Sequence, residues 1–168
     1  MDNHKSIHQH IFKLSLIGFV AGFIATLTFH QFALWLLREA AIAPFAPYNM
    51  TATAPFGVPA VFSLAFWGGI WGIIFALVQR GFPGGSGYWI RAFFFGAVLP
   101  TLAALLVVMP LKGLPPGSNW TWQLLLTAFL INGVWGIGTA VLIRLITPRK
   151  ARIGSHRPHE CKPGMICP

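Results

Sequence analysis

The side chains best suited to bind a metal lie near the carboxyl end of the chain. Two imidazoles and two thiols fall within twelve residues, at His156, His159, Cys161 and Cys167. Imidazole and thiolate are the ligands of tetrahedral zinc sites, and thiolates also suit softer metals. The spacing matches no standard zinc finger, so a disordered basic tail is the competing interpretation. Metal analysis of the chain with and without residues 154–168 separates the two interpretations.

One histidine, His30, lies inside a long apolar run. An ionisable side chain in such a run is costly and marks a candidate functional site. Thr26 precedes it by four residues and so shares its helical face. The competing interpretation is a neutral imidazole that is hydrogen-bonded to Asn132 or to a backbone carbonyl. Haem ligation is disfavoured, because a b-type haem usually takes a second axial histidine and no other apolar run contains one.

Trp71 and Trp135 lie near the middle of two other apolar runs. A buried indole N–H needs an acceptor. We interpret the two rings either as packing against neighbouring glycines or as flanking a site for a small molecule or a lipid tail, for example a quinone.

Acidic residues are too few for carboxylate chemistry. Asp2, Glu39 and Glu160 are the three acids, and none lies deep in an apolar run. A proton-coupled pump usually needs such groups, and no nucleophile–base pair is visible either. The sequence therefore assigns no catalytic residue, requires no cofactor and favours a non-enzymatic protein.

Four apolar runs must position these residues, at about 12–37, 58–79, 90–111 and 122–146. Charged residues make up 9% of the chain, against about a quarter in soluble domains. Each run reaches the ~20 residues that cross a bilayer, where backbone amides must be satisfied within a helix. The sequence predicts an all-α membrane protein with a four-transmembrane-helix bundle. A histidine-containing cytoplasmic segment, 1–11, precedes the bundle, and a basic tail, 147–168, follows it.

Two local features predict irregular helices. The first run is longer than a bilayer requires, so we expect it to tilt or break near the polar residues Thr28–Gln31. Pro100 removes a backbone hydrogen bond within the third run and is expected to kink it. The uncharged loop 40–57 should lie in the membrane interface or fold back over the bundle.

Basic residues are distributed unevenly between the two sides of the predicted bundle. Two of the twelve, Arg38 and Lys112, lie on one side. The other ten lie on the opposite side: Lys5, Lys13, Arg80, Arg91, Arg144, Arg149, Lys150, Arg152, Arg157 and Lys162. Because Lys and Arg are retained in the cytoplasm, this asymmetry places both termini there.

Small residues recur every four positions on three of the predicted helices. Helices in lipid associate by close packing through such residues. The predicted contact residues are Gly18, Gly22, Gly68, Gly72 and Gly136, which share their helical faces with Thr26, His30 and Asn132.

The second and fourth helices share a sequence motif. Gly69–Ala76 reads GIWGIIFA and Gly133–Ala140 reads GVWGIGTA. The first and third helices align more weakly, Gly18–Thr26 against Gly96–Ala104. Two helices per unit keep both copies in one orientation, so the motif predicts parallel repeats of a hairpin about a pseudo-two-fold axis along the membrane normal. A chance match is the alternative, since glycine is common in membrane helices.

The run Pro110–Pro116, PLKGLPP, closes the third predicted helix. It resembles small multi-pass bacterial inner-membrane proteins of the YagU type. The resemblance is confined to the neighbourhood of this run. It implies a bacterial inner membrane and supplies no mechanism, cofactor or site.

These features predict a structural or accessory membrane component that associates with itself as a homo-oligomer or with a larger membrane complex. The net charge of +9 would indicate nucleic acid in a soluble protein. Here the basic residues flank apolar runs, so the lipid bilayer is the expected partner and nucleic acid is not. Two alternatives stay open: an oligomeric small-solute transporter or channel, and a metal-handling or redox accessory protein.

Overall fold

The computed structural model describes residues 2–111, 113–117 and 120–147, with side chains from Ser6 onward. Four helices are long and apolar enough to cross a membrane. Helix α1 runs through Asp2–Ala25, a π-helical turn at Thr26–His30 and Gln31–Glu39. Helix α2 is Ala60–Val78 and is extended by a 3₁₀ turn at Gln79–Gly81. Helix α3 runs through Ser86–Ala103, a π-helical turn at Ala104–Val108 and Met109–Leu111, and α4 is Trp122–Ile146. Two short antiparallel strands, β1 (Ala52–Thr53) and β2 (Val58–Pro59), join α1 to α2.

The observed helices overlap all four predicted runs. Helix α4 has the predicted bounds, α3 begins four residues before its predicted run, and α1 begins at Asp2, so residues 2–11 are helical and continuous with the first run. The predicted cytoplasmic location of this segment stays a prediction. No glycine or proline occurs before Gly18, and a helix satisfies its own backbone inside or outside lipid. Most of the predicted tail, 148–168, lies outside the described residues.

The expected irregularities take the form of π-helical turns. Helix α1 is continuous through the polar residues around His30, but its register widens there to a π turn. A second π turn, Ala104–Val108, begins four residues after Pro100 in α3. Proline interrupts the regular i→i−4 hydrogen-bond ladder, and an adjacent π turn is one way in which a helix absorbs the disturbance.

Small side chains fill much of the interior, and most large apolar side chains face outward. The fully buried alanines are Ala21, Ala25, Ala65, Ala76, Ala92, Ala97 and Ala140. By contrast, Phe12 is 72% exposed, Leu145 71% and Leu111 83%. Water-soluble proteins bury most of their Leu, Ile and Phe side chains. This inverted distribution is typical of helices surrounded by an apolar solvent.

Helices α1 and α2 form a hairpin with direct backbone contact. A Cβ atom on Gly22 would collide with the carbonyl oxygen of Gly68, and one on Gly72 would collide with that of Gly18. Helices α3 and α4 form a second hairpin in the same way. There, Gly96 lies against the carbonyl oxygen of Asn132. Backbone contacts this close leave no room for any side chain larger than hydrogen at these positions.

Aromatic rings pack together at the end of the bundle where α1 begins and α4 ends. Phe75 is fully buried and makes edge-to-face contacts with Phe82 and Phe95. Tyr88 lies against Phe82 and Trp89 in the same geometry. These rings belong to α2, α3 and the loop between them, so they join the first hairpin to the second.

Substitution of Gly22 by Ala tests the backbone contact between α1 and α2. Alanine is the better helix former by about 0.5–1 kcal/mol, so an uncrowded site would be stabilised. At Gly22 the added methyl group meets the Gly68 backbone, and overpacking of this kind costs about 1–3 kcal/mol. We expect a lower midpoint of unfolding in detergent. Gly81→Ala is the control, because a Cβ there meets no atom within 4 Å; equal effects at both positions would contradict the packing.

Candidate functional site

His30 and Gln31 are buried together at the π turn of α1. Their side chains are 5% and 2% exposed. The Oε1 atom of Gln31 accepts a hydrogen bond of 2.7 Å from the backbone N–H of Tyr48. Its amide nitrogen lies 3.4 Å from Nδ1 of His30. Because a backbone N–H can only donate, the amide oxygen must face Tyr48 and the amide nitrogen must face the imidazole. Nδ1 of His30 is therefore the acceptor, and the ring carries its proton on Nε2.

The loop between α1 and β1 folds back along α1. The hydroxyl of Tyr48 donates to the carbonyl oxygen of Leu27 at 2.9 Å. Leu27 lies twelve residues before Glu39, which corresponds to about 18 Å along a helix. The loop thus contacts the side of α1, and its predicted position in the membrane interface or over the mouth of the bundle stays a prediction. A shallow groove of about 380 Å³ lies beside this contact, between Thr28, Phe29, Phe32 and Tyr48.

Asn132 does not take the role expected from the sequence. It donates to the hydroxyl of Thr101 at 3.0 Å, and that hydroxyl lies 3.3 Å from the carbonyl oxygen of Ala128. The hypothesis of a hydrogen bond between His30 and Asn132 is therefore wrong for this structure. Thr101 was missed by sequence reasoning, although a hydroxyl next to Pro100 in an apolar helix was an available signal.

The two interior tryptophans have different environments. Trp135 is 2% exposed, and its indole N–H donates to the carbonyl oxygen of Gly22 at 3.0 Å. The hydroxyl of Thr26 donates to the same oxygen at 2.9 Å. Trp71 is half-buried, and its ring lies edge-to-face against Phe95 at 6.3 Å. Neither indole lines the groove beside Tyr48 or the cleft at the other end of the bundle.

Equivalent contacts recur in the two hairpins. Phe19 covers Gly69, and Phe93 covers Gly133. Gly22 likewise corresponds to Gly96, since each faces a carbonyl oxygen of the next helix.

This correspondence differs by one helical turn from the sequence alignment, which paired Gly18 with Gly96. The contact equivalent of Gly18 is Ala92, whose carbonyl oxygen faces Gly136 as that of Gly18 faces Gly72. The alignment of Gly18 with Gly96 therefore gave the wrong register for the first and third helices, and the contacts pair Gly22 with Gly96 instead.

The candidate metal ligands of the tail, His156, His159, Cys161 and Cys167, lie outside the described residues. Within residues 2–111, 113–117 and 120–147, no three His, Cys, Asp or Glu side chains lie close enough to hold a metal ion.

A basic cleft at the other end of the bundle was missed as a site. Sequence reasoning treated Lys13, Arg80 and Arg144 only as markers of orientation, but the structure brings them together around one cavity. A signal was available: Arg80 and Arg144 lie at the same distance after the shared motif, nine residues beyond Trp71 and Trp135 respectively.

Replacement of Trp135 by Phe tests the hydrogen bond that joins α4 to α1. Phenylalanine keeps most of the ring but removes the indole N–H from the Gly22 carbonyl. Hydrogen bonds between membrane helices contribute about 0.6 kcal/mol on average and about 1.7 at most, so we expect a loss of stability in that range. Trp71→Phe is the matched control, because no protein acceptor for its indole N–H is found among the described residues. Unfolding in detergent, followed by circular dichroism, measures both; equal losses would contradict the assignment.

Comparison with known proteins finds no matching family model, no matching curated protein and no matching solved structure. The resemblance of Pro110–Pro116 to the YagU type therefore stays a prediction.

Proposed function

We propose that the chain is a four-span protein of the bacterial inner membrane that acts as a non-enzymatic accessory component, by association with a second copy or with a larger membrane complex. The observation that carries this proposal is the combination of a close-packed small-residue interior with a large aromatic exterior. Such a unit offers other proteins an outer surface rather than an internal reaction chamber.

The inverted burial supports membrane insertion. Outward-facing Phe, Leu and Trp side chains cover all four helices, and in water a surface of this kind would aggregate. In a bilayer the same side chains meet lipid tails. The interior alanines and glycines then provide the van der Waals packing that holds membrane helices together.

The charge distribution supports cytoplasmic termini. Helix α1 begins and α4 ends at the same end of the bundle, since His10 and Thr147 line one cleft. Lys13, Arg80 and Arg144 lie at that end, whereas Arg38 lies at the other end of α1. The positive-inside rule places the more basic end in the cytoplasm.

The recurring contacts support an origin by duplication of a hairpin. Corresponding glycines and phenylalanines occupy the same contact positions in both hairpins, as described above. The Trp135 indole N–H donates to the Gly22 carbonyl of the first hairpin, and the Trp71 ring lies edge-to-face against Phe95 of the second. The two contacts differ in kind, but each tryptophan reaches the other hairpin, as in two parallel units related by a pseudo-two-fold axis.

The glycine faces are already used inside the chain, so association must use other residues. Gly18, Gly22, Gly68 and Gly72 face each other between α1 and α2. On the outer side of α2, by contrast, Phe62 is 44% exposed, Phe66 49% and Trp67 58%. Aromatic side chains are enriched at protein interfaces, and we assign the association to this α2 face.

The alternatives have less support. A solute path between the hairpins would have to pass Phe75, Ala21, Ala76 and Ala140, all fully buried and packed in one cluster. The metal-handling hypothesis depends on His30 and on residues of the tail. The tail residues lie outside the described ranges, and the side chain of His30 contacts Gln31.

The topology is tested with reporters on both termini. We expect the protein in the carbonate-resistant membrane fraction, because its apolar exterior is stable only in lipid. Fluorescent-protein fusions at either end should be bright and alkaline phosphatase fusions inactive, since both termini face the cytoplasm. Recovery in the soluble fraction, or termini on opposite faces, would contradict the proposal.

Association is tested by native mass spectrometry and cross-linking in nanodiscs. We expect dimers or a larger complex, weakened by Phe66→Ala and Trp67→Ala because these changes remove the aromatic area of the α2 face. Phe94→Ala is the control, because Phe94 is similarly exposed (52%) but lies on α3. A strictly monomeric native protein, or equal weakening by all three changes, would refute the assigned surface.

A further inference from the structure

A cleft of about 380 Å³ opens at the basic end of the bundle. All four helices contribute to it, and its volume lies in the range of small-ligand sites. Leu14 and Ile17 follow Lys13 along α1, and Ile143 precedes Arg144 along α4, so the inner part of the cleft is apolar. The lining of the cleft therefore combines apolar side chains with cationic ones.

The charge of the cleft is not neutralised by the residues that line it. Lys13, Arg80 and Arg144 are all cationic, and none of the described residues that line the cleft is a carboxylate. On α1, Glu39 lies 26 residues from Lys13 and Asp2 lies eleven residues from it, or about 39 and 16 Å along a helix. A cleft lined by one sign of charge, with low-dielectric walls, concentrates the electric field and attracts ions of opposite charge. The cleft is thus suited to an anion.

The guanidinium groups are oriented before any ligand arrives. The guanidinium of Arg144 lies 3.7 Å from the ring centroid of Tyr88 and 4.6 Å from that of Trp89. Contact with two rings restricts the position of the guanidinium without using its N–H groups as hydrogen-bond donors. On the opposite wall, Arg80 contacts Nε2 of His10.

A further hydrogen bond fixes the position of Tyr88, whose ring contacts Arg144. Tyr88 donates to Oε1 of Gln79 at 2.5 Å, and Gln79 is the neighbour of Arg80 in the chain. The positions of the two arginines are therefore linked through α2 and α3. Pre-oriented arginine donors match the oxygens of phosphate, to which they bind in a bidentate manner.

We propose that this cleft binds the phosphate of an anionic phosphate ester. Arg80 and Arg144 hold the phosphate oxygens, Lys13 adds charge, and Leu14 and Ile17 contact the apolar part of the ligand. The head group of an anionic phospholipid and a soluble phosphate ester offer the same chemistry. The apolar interior and the position at one end of the helices favour the lipid, since basic pockets between transmembrane helices bind such head groups. This inference rests on the proposed membrane insertion and not on the proposed association.

The lipid arm of the test uses nanodiscs of phosphatidylcholine containing phosphatidylglycerol. Native mass spectrometry of the released protein counts the lipids that stay bound, on monomer and oligomer peaks alike, so its outcome does not depend on association. We expect selective retention of phosphatidylglycerol. Arg80→Gln and Arg144→Gln should each lower this retention about tenfold or more, because each removes a charge-assisted hydrogen bond to the phosphate as well as a positive charge.

Arg91→Gln is the matched control. Arg91 is exposed near the amino end of α3, at the basic end of the bundle, but it does not line the cleft. Its replacement by glutamine removes the same charge as the two cleft variants. Retention by this variant should fall about fivefold at most, the effect of one basic residue near an anionic lipid surface. Arg80→Gln leaves the contacts of Arg144 with Tyr88 and Trp89 in place, and its unfolding midpoint shows whether the fold is kept. If Arg91→Gln lowers retention as much as Arg80→Gln, the lipid responds only to surface charge and the site is refuted.

The soluble arm uses the protein in nanodiscs of pure phosphatidylcholine, titrated with inorganic phosphate and with glycerol 3-phosphate. Binding that is lost in Arg80→Gln but kept in Arg91→Gln would assign the cleft to a soluble phosphate ester. Arginine-dependent retention of phosphatidylglycerol without soluble binding would assign it to the lipid. No arginine-dependent binding in either arm would overturn the proposal.

Discussion

Direct contact between helix backbones is the constraint on which the rest of this structure depends. At Gly22 and Gly72 the helix surfaces have no side chains, so α1 and α2 approach until backbone meets backbone. Gly96 and Gly136 do the same for α3 and α4. Because lipid tails are as apolar as leucine, burial of large apolar groups gives membrane helices little reason to associate. Close approach therefore has to supply the attraction, and the large side chains are left to face outward.

The same close approach organises the polar groups. The carbonyl oxygen of Gly22 is reachable because no side chain covers it, and it accepts hydrogen bonds from both Thr26 and Trp135. The threonine bond stays within α1, whereas the tryptophan bond reaches α1 from the last helix. A glycine that permits packing within the first hairpin thus also provides the acceptor that joins it to the second. The Tyr48 loop also binds a backbone acceptor of α1, since the Tyr48 hydroxyl donates to the carbonyl oxygen of Leu27 at the π turn.

The sequence predicted the features that follow from solvent and spacing, and it missed those that depend on which residues meet. Length and apolarity gave four long helices, because backbone amides in lipid allow few other structures. The packing role of the glycines could be proposed from i+4 spacing, but not their partners, since Gly18 pairs with Gly72 across a connection whose geometry the spacing does not contain. For the same reason Asn132 could not be assigned to Thr101 rather than His30. The basic cleft was overlooked because its cations are far apart in the chain and each has an ordinary explanation as a topology signal.

The arrangement of contacts implies an order of assembly during synthesis. Every glycine contact between α1 and α2 lies between residues 18 and 76, so these helices can dock before α3 has been translated. The hydrogen bond from Trp135 can form only after the final helix has been synthesised, and its acceptor, the Gly22 carbonyl, belongs to a hairpin that is already complete. A nascent chain with two helices can therefore form the glycine contacts of the first hairpin while the Gly22 carbonyl still lacks its donor from Trp135. When α4 packs against the hairpin, Trp135 supplies that donor and joins the last helix to the first.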